Sequence, residues 1–247
     1  MEESVYAVDA RIEQEHWWHL GRRKLFGRVI GELGAAPNEP ALDIGTSAGT
    51  NLRLLRDAGF TDVTGLDFNE EAVRWCAEKG LGAVRLGSVT SIPFGDASFS
   101  LVLATDIVEH VDDDTLALSE IRRVLRPGAA ALITVPAFPS LWGLQDEVSH
   151  HRRRYRLDGL LERIRGAGLE VERSFHFNYL LFAPIWAARQ VLKRWRPSSF
   201  KSEGTYNSPL INKMLGAVFD FDVATAQQVS PPFGVSILAV ARRPAAS

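Results

Sequence analysis

Short apolar runs alternate with amphipathic stretches over residues 40–136, and this alternation predicts the fold. The predicted strands are residues 41–45, 62–67, 82–87, 99–105 and 129–136, and the predicted helices between them are residues 49–58, 70–79 and 113–125. Strands that are apolar along their whole length are typical of a parallel sheet covered by helices on both faces. The pattern therefore predicts an α/β fold with a mostly parallel sheet.

The segments on either side of this core have their own patterns. Residues 1–36 interleave aromatic and basic side chains at helical spacing, so we predict an N-terminal helical lid ahead of one domain over residues 37–247. Residues 137–155 form a predicted loop that is unusually long for a compact domain, which indicates that it has a function. Beyond it we predict helices at 156–167, 178–195 and 209–219 and strands at 169–176 and 235–242. Two segments, about 137–156 and 177–220, are expected to cap a substrate site.

The first predicted strand ends in Asp43 and continues into a glycine-rich turn that opens a helix. Backbone N–H groups at such a helix start can hold a polar or anionic ligand group. Gly45 and Gly49 let a ligand approach the main chain closely. The second predicted strand ends in Asp67, and an acid at that position can accept hydrogen bonds from both hydroxyls of a ribose. The pair of strand ends predicts a nucleoside cofactor site.

The glycine-rich turn is compatible with two other classes of enzyme. Gly45, Ser47 and Gly49 match the G-x-S-x-G pattern of α/β-hydrolases, in which Ser47 would be the nucleophile. That class needs preceding strands and an oxyanion motif, and neither precedes this turn. A dinucleotide-binding turn needs glycine at its third and sixth positions, where this chain has Ser47 and Thr50.

Five segments in fixed order carry a resemblance to a known family. They are Leu42-Asp43-Ile44-Gly45 with Gly49, Gly65-Leu66-Asp67, the stretch from Gly87 to Ser100, Leu103 to Val111, and Glu120 to Ala129. Together they resemble the motifs of class I S-adenosylmethionine-dependent methyltransferases, and most of all the small-molecule branch called type 11. The resemblance covers about residues 40–136.

The resemblance implies a Rossmann-like fold with a seven-stranded, mostly parallel sheet whose last strand is antiparallel. It also implies S-adenosyl-L-methionine as cofactor, with Asp43 facing its ammonium group, Asp67 binding the ribose and Phe68 flanking the adenine. The full set of cofactor-binding residues that it implies is Asp43, Gly45, Thr46, Ser47, Gly49, Asp67, Phe68, Ser88, Thr105, Asp106 and His110.

Two residues depart from the family pattern. Ser88 stands where the family usually has an aspartate that binds the adenine amino group, and Ser47 replaces a glycine. A serine hydroxyl still accepts a hydrogen bond, but more weakly than a carboxylate does. These departures keep one rival function open, a cofactor-binding partner subunit without catalysis.

The predicted loop after the fifth strand resembles the "LW…D…H.RRY" segment of this branch. His150 or His151 is the candidate general base near neutral pH, and Asp146 either orients that histidine or takes the proton itself. The alternative is that Asp146 and the histidines only fasten the loop to the core. The candidate substrate-contacting and lid residues are Tyr6, Trp17, Trp18, Arg22, Trp142 and Tyr155.

Composition narrows the choice of partners and compartment. The formal net charge of −2 over 247 residues gives no reason to expect nucleic-acid binding. Cys76 is the only cysteine and is predicted to be a packed core thiol. No metal-ligand cluster is visible in the sequence, so we expect no metal. The acidic N-terminus lacks the apolar segment of a signal peptide, which predicts a cytoplasmic protein.

The stretch 177–195 is apolar and ends in basic residues. It is interpreted either as a buried helix or homodimer face, or as a contact with a lipid-like acceptor or a membrane surface. The function expected from all these features is methyl transfer from S-adenosylmethionine to a small molecule. The expected methylated atom is an oxygen, and the expected acceptor is a natural product, a sugar or a lipid-linked molecule.

Overall fold

The computed structural model describes residues 5–195 and 208–245, with side chains from Ala10 onward. The strands are β1 (Ala41–Ile44), β2 (Val63–Asp67), β3 (Ala83–Leu86), β4 (Phe99–Thr105), β5 (Leu125–Pro136), β6 (Glu170–Phe177) and β7 (Ser236–Arg242). The helices are α1 (Val5–Glu15), α2 (Trp17–Glu32), α3 (Thr50–Asp57), α4 (Glu70–Glu78), α5 (Asp114–Val124), α6 (Leu144–Val148), α7 (Leu157–Gly166), α8 (Phe182–Trp195) and α9 (Pro209–Val229).

The seven strands form one sheet in the order β3-β2-β1-β4-β5-β7-β6. The pairs from β3 to β5 are parallel, whereas β7 runs antiparallel to both of its neighbours. The predicted mostly parallel sheet with an antiparallel last strand is confirmed. The strand order reverses between β1 and β4, and in such sheets the crevice at that reversal is the usual ligand site.

Both faces of the sheet are buried, as the continuous apolar strands predicted. Leu101 and Leu103 of β4 pack on one face in a core shared with α2, α3 and α9. Val102 and Ala104 alternate onto the other face, in a core shared with α5 and α7. Cys76 belongs to the first core and is fully buried, which confirms its predicted packing role.

Four predicted elements differ from the structure by several residues, and one of them is helix α8, which begins at Phe182 rather than at residue 178. β5 begins at Leu125 rather than at residue 129, because Leu125 pairs with Phe99 and the ladder resumes at Ala130 after an irregularity. The predicted loop 137–155 contains the short helix α6. Helix α9 continues to Val229, since Phe219, Asp222, Val223 and Ala226 are spaced to bury one face of a single helix.

The N-terminal segment consists of two helices that meet at His16, whose side chain caps the start of α2. Leu25, Phe26 and Val29 of α2 are buried in the same core as the sheet. The division of the chain into a lid over residues 1–36 and a domain from residue 37 stays a prediction. Residues 196–207, within the predicted capping segment 177–220, lie outside the described residues.

Candidate functional site

A crevice of about 320 Å³ lies at the carboxyl ends of β1, β2 and β4, beneath helices α1 and α2. Its volume is at the lower end of the range usual for small-molecule sites, roughly 300–1,000 Å³. The residues that line it are Glu13, His19, Arg22, Arg23, Phe26, Gly45, Thr46, Ser47, Thr50, Asn51, Asp67, Phe68, Asn69, Thr105, Asp106, Ile107 and His110. Nine of the residues predicted from the sequence are therefore together on one surface.

The turn after β1 brings the main chain to the crevice. Gly45 has a φ of +77°, and a Cβ atom built on it would lie 1.9 Å from the side chain of Ile107. Gly49 caps α3 with a φ of +83°. Ser47 also has a positive φ, +47°, in a region that favours glycine. The serine is accommodated there while its backbone N–H donates to the Asp67 carboxylate.

Asp67 is held in a fixed orientation at the end of β2. One carboxylate oxygen accepts from the Ser47 N–H at 2.8 Å and the other accepts from the Asn69 N–H at 2.9 Å. Each oxygen keeps a further lone pair for a ligand hydroxyl. The ring of Phe68 beside it is 82% exposed, which leaves its apolar faces available to a flat ligand group.

Asp43 lies beneath the floor of the crevice and is fully buried. Its Oδ1 accepts from Asn51 Nδ2 at 2.9 Å, and that amide also donates to the Thr105 hydroxyl at 3.0 Å. Its Oδ2 has no hydrogen-bond partner among the described residues. Burial raises the pKa of Asp43 to about 7, against the opposing effect of the hydrogen bonds from Asn51 and Thr46. A buried acid with a free oxygen is suited to a cationic ligand group.

Helices α1 and α2 close the crevice from above. Arg22 of α2 forms an ion pair with Asp106 at 2.6 Å, across the opening from β4. Its guanidinium also lies over the rings of Trp18 and Phe26, at 5.4 and 5.1 Å from their centroids. The Thr50 hydroxyl donates to the Glu13 carboxylate of α1. These contacts support the predicted lid role of Arg22.

Trp17 and Trp18 hold the lid helix rather than line the crevice. Trp17 packs edge-on against Phe219 of α9, and Trp18 stacks on Phe177 and Phe219. They anchor α2 to the body of the protein, which is a different role from the predicted ligand contact. Tyr6 lies in α1, ahead of the first described side chain, so its predicted lid role lies outside the described residues.

A second polar group adjoins the crevice at His110. The rings of His110 and His151 meet edge to face with centroids 4.7 Å apart. His151 Nδ1 lies 2.8 Å from Asp146 Oδ1. Burial lowers the pKa of His110, and the neighbouring His151 lowers it further. The sequence placed both histidines near the ligand, but only the fold shows that they touch.

Asp146 orients His151, and both of its oxygens already accept hydrogen bonds. It is fully buried, one oxygen accepts from Arg154 Nε at 2.7 Å, and the other accepts from the Gly143 N–H at 2.8 Å. Burial acts to raise the pKa of Asp146, but the hydrogen bonds from His151 and Arg154 outweigh it and lower the pKa. The interpretation of Asp146 as a proton acceptor is therefore corrected.

Four further predicted residues do not line the crevice. The His150 side chain is exposed to solvent, and Trp142 is half-buried in the loop before α6. The Ser88 hydroxyl bonds to Thr90 in a local turn. Tyr155 is in the core, where its hydroxyl donates to Asp114 at 2.8 Å, so its predicted substrate contact is wrong.

Several lining residues were missed because no motif marks them. Glu13, His19, Arg23 and Phe26 reach the crevice only through the packing of α1 and α2. Burial, together with the nearby Arg22 charge, lowers the pKa of His19 to about 3. Asn51 could have been found from the sequence, because the first turn of the helix after such a strand faces the same crevice.

Comparison with known proteins agrees with this geometry. Residues 42–133 match the family model described as "Methyltransferase domain". That span runs from β1 into β5 and includes the three strand ends that form the crevice. Over residues 42–133 the chain is therefore similar to methyltransferase domains.

Two curated relatives are similar to parts of this chain. A "Probable S-adenosylmethionine-dependent methyltransferase/" of Mycolicibacterium smegmatis is 27% identical over 164 residues, 65% of this chain and 62% of that protein. A "Demethylmenaquinone methyltransferase" of Staphylococcus aureus is 32% identical over 129 residues, 47% of this chain and 54% of that protein. The chain thus spans less than two thirds of the length of the curated relatives it matches.

Among solved structures, the fold is shared with a putative sarcosine dimethylglycine methyltransferase from Galdieria sulphuraria. The TM-score is 0.62 at 17% identity, with 92% of this chain and 86% of that chain covered. At this identity the likeness supports the fold of the methyltransferase domain alone.

The cosubstrate of this class is S-adenosyl-L-methionine, and the crevice fits it. The unpartnered Oδ2 of Asp43 suits the ammonium group. The Nε of Arg22 is also buried without a partner among the described residues, and it suits the carboxylate. The absence of a side chain at Gly45 leaves room for Ile107, which also lines the crevice. Asp67 and Phe68 would hold the ribose and the adenine, and the bound cosubstrate would supply an activated methyl group.

No helix within residues 5–195 or 208–245 combines the length and apolar character needed to cross a membrane.

Proposed function

We propose that this protein transfers a methyl group from S-adenosylmethionine to a small-molecule acceptor, with an oxygen as the methylated atom. The observation that carries the proposal is the pair of acids at adjacent strand ends. Asp43 offers a buried free oxygen, and Asp67 is fixed by two backbone amides. The two flank the glycine-rich turn, and this arrangement matches the two ends of one nucleoside-containing methyl donor.

Methyl transfer from a sulfonium is an in-line displacement, and the protein's main task is to align acceptor and donor. Alignment of this kind contributes up to ~7–11 kcal/mol to lowering a barrier. Helices α1 and α2 are suited to the task because Arg22 spans the opening to Asp106. The same closure excludes water, which would otherwise compete with the acceptor for the crevice.

An acceptor hydroxyl has to lose its proton during the reaction. His151 is the proposed proton acceptor, because Asp146 fixes its ring through Nδ1 and leaves Nε2 free. A positioned base of this kind contributes ~10²–10⁴-fold to the rate. His150, the other candidate, is exposed to solvent.

The acceptor is proposed to be apolar in part. Helix α8 packs beside α6, which carries Asp146, and Phe182 of α8 contacts Phe138 of the loop after β5. On the same helix Trp186 and Val191 are 44% and 55% exposed. Exposed apolar side chains on a helix that packs against α6 favour an acceptor that is apolar in part, such as a lipid-linked ring. The demethylmenaquinone methyltransferases among the relatives make demethylmenaquinone an acceptor with which to test for methylation at carbon instead of oxygen.

Calorimetry and a methyl-transfer assay test the proposal. We expect S-adenosylmethionine and S-adenosylhomocysteine to bind, and Asp67→Ala to raise Kd by at least about 100-fold through loss of two hydrogen bonds to a charged group. The exposed Asp57 of α3 provides the control variant Asp57→Ala. Absence of cosubstrate binding to the wild type would reject the proposal. Binding without turnover on any acceptor would favour a partner subunit instead.

A further inference from the structure

Three side chains beside the crevice converge in a way that the proposed methyl transfer does not explain. Glu109 and His110 lie on a single helical turn, Val108–His110, that follows β4, and His151 lies in the loop after α6. One ligand atom from each residue can be chosen so that all three lie within 4.8 Å of one another. A carboxylate and two imidazoles are a ligand set used by zinc and by iron(II) in proteins.

Glu109 is the least expected member of the group. It is fully buried, and neither of its carboxyl oxygens has a hydrogen-bond partner among the described residues. A buried carboxyl group without partners is costly, because it gives up hydration without any replacement. A cation between Glu109 and the two histidines would supply the missing partner.

The two histidines are oriented as metal ligands are. His151 uses Nδ1 to contact Asp146, so its Nε2 is the nitrogen left for a ligand. Asp146 is fixed in turn by Arg154 and the Gly143 N–H. His110 lies against the backbone carbonyl of Ser149. Partners of this kind hold the imidazole tautomer and ring direction at metal sites.

The spacing is close to what a metal requires. Ligand atoms about 2.0–2.2 Å from a tetrahedral ion are roughly 3.3–3.5 Å apart. The largest separation allowed by the present arrangement, 4.8 Å, has to shrink by at most about 1.5 Å. Rotation of the half-buried His110 and His151 rings can supply this, whereas the buried Glu109 stays in place.

We propose that Glu109, His110 and His151 bind one divalent transition-metal ion of the zinc or iron(II) type. Three protein ligands leave coordination positions open, which is the pattern of catalytic rather than structural metal sites. His110 and Asp106 both line the crevice, so the proposed metal site adjoins it. The expectation from the sequence that the protein has no metal is revised by this proposal.

The consequence for chemistry rests on the proposed function. An acceptor hydroxyl that fills an open position gives its lone pair to the ion, and its O–H pKa falls. The proton and the metal compete for the same Nε2 of His151. In the metal-bound protein His151 would therefore hold the ion rather than accept a proton, and the proton of the acceptor hydroxyl would leave to solvent.

Metal uptake by the untagged full chain tests the proposal without any assay of turnover. After removal of metal by chelation, the protein is dialysed against Zn²⁺ or, without oxygen, Fe²⁺, and bound metal is measured by plasma mass spectrometry. Co²⁺ serves as a spectroscopic probe, since its visible absorption reports nitrogen and oxygen ligands in a low-symmetry site. We expect one equivalent of metal per chain. The Co²⁺ spectrum should appear in the absence of S-adenosylmethionine.

Metal binding by variants of the proposed ligands and their neighbours shows where the ion binds. Asp146→Asn should weaken binding by about 10–100-fold, and His151→Ala and Glu109→Gln should weaken it more. His150→Ala is the matched control, because His150 is adjacent in sequence but exposed, and it should bind metal as the wild type does. Circular dichroism and thermal unfolding identify any variant that fails to fold, and Glu109→Gln keeps the shape of the buried side chain.

Two results would overturn the proposal. One is no stoichiometric uptake of any of the three ions by the folded wild type. The other is equal uptake by the wild type, His110→Ala and His151→Ala. Either result leaves the proposed methyl transfer intact, because cosubstrate binding is measured separately and His151 then remains the proton acceptor. Loss of cosubstrate binding with metal uptake retained would reject the methyl transfer alone.

Discussion

Replacement of Asp43 by asparagine should stabilise the ligand-free protein at alkaline pH while it weakens cosubstrate binding. The carboxyl group is fully buried, and burial raises its pKa to about 7. Ionisation of this group in the folded protein is therefore unfavourable. Asparagine keeps an oxygen that accepts from Asn51 and never ionises.

The magnitude follows from the difference between the folded and unfolded pKa. The pKa of Asp43 in the unfolded chain is 3.8. Below that pH the carboxyl group is protonated in both the folded and the unfolded wild type, so its ionisation does not lower the free energy of unfolding. As the pH rises, the unfolded chain ionises first, so the wild type loses up to ~1.4 kcal/mol per pH unit until the folded group ionises near pH 7. Between about pH 5 and pH 8 the free energy of unfolding of the wild type should fall by about 3 kcal/mol relative to that of Asp43→Asn.

Urea unfolding of both proteins in ligand-free form over this pH range measures the difference directly. Other titrating groups affect both proteins alike, so the free energy of unfolding of Asp43→Asn minus that of the wild type isolates Asp43. Asp57→Asn, at an exposed position of α3, is the control for the effect of an Asp-to-Asn substitution as such. A pH-independent difference for Asp43→Asn would refute the argument.

The same variant should bind S-adenosylmethionine more weakly. Loss of one charge-assisted hydrogen bond to the ammonium group costs about 1.5–3 kcal/mol, which corresponds to roughly a 10–150-fold higher Kd. Calorimetry at about pH 8, where Asp43 is ionised, gives this value. A stabilising substitution that lowers affinity is typical of a residue retained for function, whereas unchanged affinity would show that Asp43 does not contact the ligand.

Three further substitutions test the packing of the site. Gly45→Ala should lower the free energy of unfolding by about 2–5 kcal/mol, because the new Cβ overlaps Ile107 at a positive φ; urea unfolding no different from the wild type would contradict this. Tyr155→Phe should lower the free energy of unfolding by about 1–3 kcal/mol, because it removes the hydrogen bond to Asp114. Calorimetry should find the cosubstrate affinity unchanged, and a changed affinity would indicate that Tyr155 contacts the ligand. Asp146→Ala should lower the free energy of unfolding by about 3–5 kcal/mol, because it breaks the buried ion pair with Arg154. A decrease of less than about 1 kcal/mol would show that this ion pair contributes little to stability.

The chain pattern predicted local structure well where one physical signal dominates. The apolar strands of residues 40–136 and the acids that end β1 and β2 could be found because strand burial and the strand–turn–helix unit are local properties. The extension of α9 to Val229 was missed, because its polar residues suggest an exposed end. Asp222 in fact accepts from the backbone N–H groups of Asn178 and Leu180, which are distant in sequence.

The sequence by itself determined the class of fold, the nucleoside-binding strand ends and the presence of histidines near the substrate side. Tertiary structure decided what each polar side chain does. Only folding places Glu109 beside His151, joins Arg22 to Asp106 and puts Tyr155 in the core. The physical reason is that burial and pairing set the role of a charged group, and both depend on neighbours that lie tens of residues away along the chain.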